Sequence, residues 1–155
     1  MGKFFRSLTL TMVLLSATFV FYLQMSVRIP ITITTNETTM KKLQYVGVNS
    51  TEIAKAVKIA SDQTNISEEF IIALVFTESS GDVHAVSCKG YNGLMQIPQK
   101  VFYPDANVII GSRIFLEKMK IANNNVEKAI ILYKGYEIGS KRGREQAKKV
   151  LVIYD

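Results

Sequence analysis

Residues 67–79 read SEEFIIALVFTES, and this stretch decides the fold. Ser67 is a good helix N-cap, and Glu68 and Glu69 follow in the first turn, where the helix macrodipole favours negative charge. The run from Phe70 to Phe76 is apolar on every side of a helix. The pattern therefore predicts a helix that is buried all round and lies at the centre of a folded domain.

Helical signals also dominate the sequence around this stretch. Asn49 is predicted to be an N-cap with Glu52 at the third helical position, and Gly81 lies where the central helix should be capped. Apolar residues recur at helical spacing in the upstream segment and in three downstream segments. These predicted segments are Ile53–Ala60, about Asn107–Ile121, Asn125–Tyr133 and Arg142–Ile153. We therefore predict an all-α fold with short loops.

The composition limits the classes of function. A chain of 155 residues and 17.4 kDa has room for one domain and at most an appendage, and 48% hydrophobic residues exclude a disordered chain. The net charge is +6, but no dense arginine stripe and no zinc or RNP motif indicates a nucleic-acid partner. Because Cys88 is the one cysteine and His84 the one histidine, we expect no disulfide framework, metal or cofactor.

The N-terminal segment has the pattern of a membrane anchor or a signal peptide. Residues 8–23, LTLTMVLLSATFVFYL, carry no charge and follow Lys3 and Arg6. A helix continued to residue 27 would span about 30 Å, enough to cross a bilayer. No small-residue cleavage pattern follows, so we favour an uncleaved anchor over residues 1–27, with a cleaved signal peptide as the alternative. A Thr-rich tether over residues 28–48 would connect it to the main domain, residues 49–155.

Glu78 is the residue most suited to chemistry. It shares one helix face with Phe70 and Leu74, and desolvation there would raise its pKa, as a general acid requires. The alternative is a helix-end glutamate that points into solvent. Glycoside cleavage normally needs two carboxylates, but Asp82 is too close along the chain and Asp105 lies in a loop. Either the chain is no glycosidase, or a single acid serves both steps.

Several motifs, taken in order, resemble the signature of the soluble lytic transglycosylase family. They are Glu78-Ser79, Ala85-Val86-Ser87, Gly90, Gly93-Leu94-Met95-Gln96, Asn107-Val108 with Gly111, and AIILYKG at residues 129–135. The resemblance extends over roughly Ser50 to Gly139. It implies a lysozyme-like fold that cleaves the glycan strands of peptidoglycan, so that residues 49–155 would be a lytic transglycosylase domain.

The resemblance also implies roles for individual residues. Glu78 would protonate the glycosidic oxygen between N-acetylmuramic acid and N-acetylglucosamine and then act as base, giving a 1,6-anhydromuramyl product. Gln96 would offer a donor and an acceptor to acetamido groups, and Tyr133 would place its hydroxyl near Glu78. Substrate-binding residues along the cleft would be Ser87, Met95, Gln96 and Tyr133. The structural alternatives are a loop cap for Ser87, a core residue for Met95 and a packed aromatic for Tyr133.

Three positions depart from the pattern of that family. Lys134 stands where an asparagine is usual, Tyr136 lies among residues that are commonly small, and Val83 replaces a frequent proline. Lys134 is either a cationic contact to a peptide stem or a solvated lysine. None of the three departures removes the acid, but they bear on the shape of the sugar-binding cleft.

The resemblance leaves two other functions open. One is a muramidase that admits water, and the other is a catalytically weak glycan-binding component of an envelope-spanning machine. The expected partners are peptidoglycan strands, the inner membrane through the N-terminal helix, and a secretion, conjugation or phage entry or lysis apparatus. Because Lys3 and Arg6 should stay in the cytoplasm, we expect the domain in the periplasm, with simple export or a phage virion as alternatives.

Overall fold

The computed structural model describes residues 37–154. The described residues form helices α1 (Glu37–Tyr45), α2 (Thr51–Thr64), α3 (Glu68–Ser79), α4 (Pro104–Ile121), α5 (Val126–Tyr133) and α6 (Lys141–Tyr154). Extended structure in this part of the chain is limited to two isolated antiparallel bridges, Val86 with Asn92 and Asn92 with Ile97. The predicted all-α fold is confirmed for these residues.

Helix α3 is the central helix, as the sequence predicts. The Ser67 hydroxyl accepts a hydrogen bond from the Phe70 N–H at 3.3 Å, which caps the helix. Every residue from Phe70 to Val75 is buried, and α3 contacts α1, α2, α4 and α6. A helix without a polar face is stable in water only when other elements cover all of its sides, which these four helices do.

Two predicted cap residues are each displaced by one position. Helix α2 is capped by Ser50 rather than Asn49, because the Ser50 hydroxyl accepts from the Ile53 N–H at 3.3 Å. Helix α3 is capped by Ser80, which takes the left-handed conformation at φ 54°, one residue before Gly81. In both cases the observed cap is a neighbour of the predicted residue, and both residue types commonly cap helices.

Helix α1 lies within the segment that the sequence predicts to be a tether. Its Thr39 and Leu43, four residues apart on one helix face, are completely buried. The Thr39 hydroxyl donates to Glu68 Oε2 at 2.6 Å, and Lys42 Nζ lies 2.7 Å from Glu69 Oε1. The described part of this segment is therefore a helix that packs onto the N-terminal end of α3.

The predicted membrane segment, residues 1–27, lies outside the described residues. The same is true of residues 28–36, the first part of the predicted tether. Among the helices of residues 37–154, none combines the length and the apolar character that a bilayer crossing needs. The anchor stays a prediction from the sequence.

Asn107, a fully buried polar residue of α4, organises the long loop between α3 and α4. Its Oδ1 accepts from the Met95 N–H at 2.9 Å, and its Nδ2 donates to the carbonyls of Asn92 and Val101 at 3.1 and 2.6 Å. The approach is so close that a Cβ added to Gly93 would lie 2.2 Å from Asn107 Nδ2. One side chain of α4 therefore holds three backbone groups of the loop in place.

Replacing Asn107 with alanine should destabilise the fold by about 2–4 kcal/mol, because it leaves buried backbone groups of the loop without partners. Urea unfolding followed by circular dichroism measures this loss. The control is Gln99→Ala, which truncates an exposed amide of the same loop and should change stability by no more than about 0.5 kcal/mol. Equal effects of the two substitutions would show that the Asn107 hydrogen bonds do not stabilise the loop.

Candidate active site

Glu78, in the last turn of α3, lies in a cavity of about 190 Å³. Its side chain is only 13% exposed. The walls come from the loop after α3 and from the end of α5. They consist of Ser87, Cys88, Lys89, Tyr91, Gln96, Tyr133, Lys134 and Gly135. The structure thus brings four of the five residues predicted for the site, Glu78, Ser87, Gln96 and Tyr133, to one cavity.

Lys134 forms an ion pair with Glu78, a contact that the sequence analysis missed. Lys134 Nζ lies 3.0 Å from Glu78 Oε1, and the lysine side chain is 7% exposed. The ammonium directs hydrogen bonds to the carbonyl and the hydroxyl of Thr77, each at 3.1 Å. Glu78 Oε1 is itself buried and accepts no well-aligned hydrogen bond from the described residues, and the charge of Lys134 acts on it more strongly than the short N–H contact does.

Burial and the ion pair act on the pKa of Glu78 in opposite directions. Burial raises the pKa because it penalises the charged carboxylate, whereas the Lys134 ammonium lowers it. Burial has the larger effect, so the pKa of Glu78 is raised above the ordinary value of a glutamate. A carboxyl group with a raised pKa keeps a proton to higher pH, which is the property of a general acid.

Two carboxylates that could have assisted Glu78 lie elsewhere. Asp82 is exposed and accepts from the His84 N–H at 2.8 Å, and Asp105 is exposed in the first turn of α4. Neither lines the cavity, so among the residues described Glu78 is its only carboxylate. Residues 37–154 also contain no group of three His, Cys, Asp or Glu side chains placed to hold a metal ion.

The loop supplies Ser87 and Gln96 in fixed positions. The Ser87 hydroxyl accepts from the Tyr91 N–H at 3.0 Å, which closes the turn that carries Cys88 and Lys89. The Gln96 amide nitrogen donates to the carbonyls of Ala85 and Gly93 at 3.3 and 3.0 Å. The donor that the sequence analysis assigned to a sugar acetamido group is therefore engaged within the loop.

Tyr133 connects α5 to the same loop. Its hydroxyl donates to the Met95 carbonyl at 2.8 Å, and its ring packs edge-on against Phe115 at 6.0 Å between centroids. Burial, and then the nearby Glu78 carboxylate, raise the pKa of Tyr133, so the phenol stays protonated. Tyr133 lines the cavity, but its hydroxyl donates to the loop backbone rather than to Glu78.

The prediction that Met95 lines the cleft is wrong. Met95 is completely buried and is absent from the walls of the cavity. Its side chain packs on α4, where a Cβ added to Gly111 would lie 2.5 Å from Met95 Cβ, and the Ser112 hydroxyl is 3.9 Å from its sulfur. Gly111 on the facing helix leaves room for the thioether, so the Met95 side chain belongs to the core. Its backbone carbonyl accepts the hydrogen bond from Tyr133.

Comparison with known families agrees with the motifs. A family model described as the transglycosylase SLT domain matches residues 55–150. The match takes in most of α2, all of α3 to α5 and most of α6, and it includes every residue that lines the cavity around Glu78. A comparison with curated proteins gives no match.

Replacing Tyr133 with phenylalanine should destabilise the domain by about 1–2 kcal/mol, because the ring packing is kept while the buried Met95 carbonyl loses its donor. Thermal and urea unfolding measure the change. The control is Tyr103→Phe, which removes the hydroxyl of a tyrosine that is 78% exposed and should cost less than about 0.5 kcal/mol. A neutral Tyr133→Phe substitution would mean that this hydrogen bond does not hold the loop against α5.

Proposed function

The chain belongs to the transglycosylase SLT domain family, and on this basis we propose that it is a peptidoglycan lytic transglycosylase. It cleaves the bond between N-acetylmuramic acid and N-acetylglucosamine and leaves a 1,6-anhydromuramyl end. The observation that carries this proposal is a buried glutamate with a raised pKa, Glu78, as the sole carboxylate among the described residues around its cavity. The proposed role of the enzyme is local opening of the cell wall.

In the first step Glu78 is the general acid. Its proton passes to the glycosidic oxygen as the bond from that oxygen to the anomeric carbon of the muramyl residue breaks, and the N-acetylglucosamine leaves as an alcohol. The acetamido group of the substrate takes the part of the nucleophile that a second carboxylate plays in other glycosidases. This substitution suits a cavity with one carboxylate.

In the second step Glu78, now a carboxylate, is the base. It accepts the proton of the muramyl 6-hydroxyl as that oxygen bonds to the anomeric carbon and displaces the acetamido oxygen, so the anhydro ring closes without water and the acetamido group is restored. The attacking hydroxyl belongs to the same sugar, so its effective concentration is high. Glu78 regains its proton, and the cycle needs no further acid or base.

The walls of the cavity supply the proposed sugar contacts. Ser87 and Tyr133 present hydroxyl groups, and Gln96 presents a side-chain amide whose position is fixed by two hydrogen bonds to the loop. These groups are neutral and rigidly held, which suits recognition of sugar hydroxyl and acetamido groups. Ser87, Gln96 and Tyr133 are therefore the proposed substrate-binding residues, and Met95 is not one of them.

A catalytically weak glycan-binding protein is the second candidate function. The observation that favours it is the Lys134 ammonium, 3.0 Å from Glu78 Oε1, because a positive charge there favours the carboxylate, which has no proton to give. The net rise in the pKa of Glu78 favours the enzyme. Turnover on isolated cell walls separates the two candidates.

Purified protein incubated with peptidoglycan sacculi should release muropeptides that are lighter than lysozyme products by one water and resist borohydride reduction. Glu78→Gln should lower the release at least about 100-fold, because glutamine keeps the shape but has no acidic proton. Mass spectrometry of the products measures both effects.

The matched control is Glu117→Gln, an exposed carboxylate of α4 that should retain wild-type release. Reducible products would identify a muramidase that admits water. Absence of any release by the wild-type protein, with sacculi still bound, would support the glycan-binding candidate instead. Release by Glu78→Gln at the wild-type rate would remove Glu78 from the mechanism.

We also propose that residues 1–27 anchor the chain in the inner membrane with the domain in the periplasm. The support is the uncharged run of residues 8–23 behind Lys3 and Arg6, and the periplasmic location of the proposed substrate. An envelope-spanning secretion, conjugation or phage apparatus is the proposed setting, in which a tethered enzyme would act on the wall beside it.

Fractionation of a Gram-negative host that expresses the full chain should recover it in the membrane, uncut, with the domain open to protease in spheroplasts. N-terminal sequencing and immunoblotting measure this. A soluble periplasmic form that begins near Val27 would show that the segment is a cleaved signal peptide.

A further inference from the structure

Lys134 is a charged residue whose side chain is almost completely buried. It caps the C-terminal end of α5, and its side chain, at 7% exposed, is less accessible than the glutamate it contacts. Burying an ammonium group is costly unless its charge is paired and its protons are bonded. Both conditions are met by the end of α3, where Thr77 accepts two hydrogen bonds and Glu78 supplies the opposite charge.

The position of the ammonium also distinguishes the two oxygens of the Glu78 carboxyl group. Oε1 is the buried oxygen, and it lies 3.0 Å from Lys134 Nζ. An ammonium has only donors, so a proton on Oε1 would face the protons of Lys134. The acidic proton is therefore favoured on Oε2.

We propose that Lys134 is a positioning residue of the active site, anchored on Thr77 so that its charge fixes which Glu78 oxygen carries the proton and how tightly that proton is held. The inference rests on the proposed function in that it assigns Glu78 as the acid. Lys134 itself donates no proton to the substrate. Its charge stabilises the carboxylate that forms after the first step, and it limits the pH at which the acid stays protonated.

Other polar groups around Glu78 do not supply the same charge at the same place. Tyr133 is neutral, and Cys88, Lys89 and Tyr91 line the exposed side of the cavity from the loop. No ion pair connects Lys89 to Glu78. The charged groups of α6 that approach Thr77, namely Glu145, Lys148 and Lys149, line a different cavity.

The sign of the expected effect follows from the ion pair. An acid catalyst loses activity as the pH rises through its pKa, because the protonated form disappears. Removing the Lys134 charge takes away the group that lowers the pKa of Glu78 and leaves the burial that raises it. The basic limb of the activity profile must then move to higher pH.

The experiment titrates the Glu78 carboxyl carbon by NMR in glutamate-labelled protein, with Glu78→Gln identifying its signal. In Lys134→Gln and Lys134→Met the protonated fraction at a fixed pH well above the midpoints of all the variants should rise about tenfold, an effect of the size expected for an opposite charge within 4–6 Å. Lys134→Gln keeps a donor for Thr77, so it separates loss of charge from loss of the anchor. The pH profile of muropeptide release should shift in the same direction.

Two controls separate this role from a structural one. Lys134→Arg retains the charge and should restore the wild-type midpoint, and Lys128→Met removes an exposed lysine of α5 and should leave it unchanged. Wild-type titration in both neutral variants, whatever their stability, would overturn the inference. The NMR measurement needs no turnover, so a shifted midpoint in a protein that cleaves nothing would contradict the proposed function alone.

Discussion

Burial of α3 on every side is the constraint on which the rest of the structure depends. A helix with no polar face must be enclosed, and α1, α2, α4 and α6 all contact it. Enclosure by these helices ends before the last turn, where residues 76–79 are half-buried and Glu78, the first ionisable side chain after the apolar run, is covered by the loop and the end of α5. The buried run therefore fixes where Glu78 lies, and the loop and the end of α5 remove water from its carboxyl group and raise its pKa.

The cavity beside Glu78 depends on a second, polar constraint. Its loop wall contains little regular structure, and several of its backbone groups pair within the loop while others take partners from outside it. Asn107 provides them from α4, and Tyr133 provides one more from α5. Gly93 is required because a side chain there would occupy the space that the Asn107 amide fills. Hydrogen bonds from two helices thus hold in place the loop that carries Ser87 and Gln96.

The sequence predicted correctly those features that depend on the pattern within one segment of the chain. The Ser67 cap, the buried run and the position of Glu78 at its end all follow from local pattern, and each lies where the pattern indicates. Met95 could not be placed in the same way, because its side chain lies where Gly111 of a distant helix leaves room. Helix α1 was not predicted, because its segment contains threonines, which are poor helix formers. Its contacts with α3 stabilise it.

The Lys134–Glu78 pair is a departure from the family motif that is compatible with the proposed role of Glu78 as an acid. A buried ion pair is costly when one partner is left incomplete, and here the ammonium is satisfied by Thr77 while Glu78 Oε1 has no donor among the described residues. A carboxylate held by several donors would be fixed in its charged form and useless as an acid. Thr77 accepts two of the three hydrogen bonds that the Lys134 ammonium can donate, so the lysine acts on the pKa of Glu78 chiefly through its charge. Burial therefore has the larger effect on the pKa of the carboxyl group, and this pKa stays raised although a cation lies beside it.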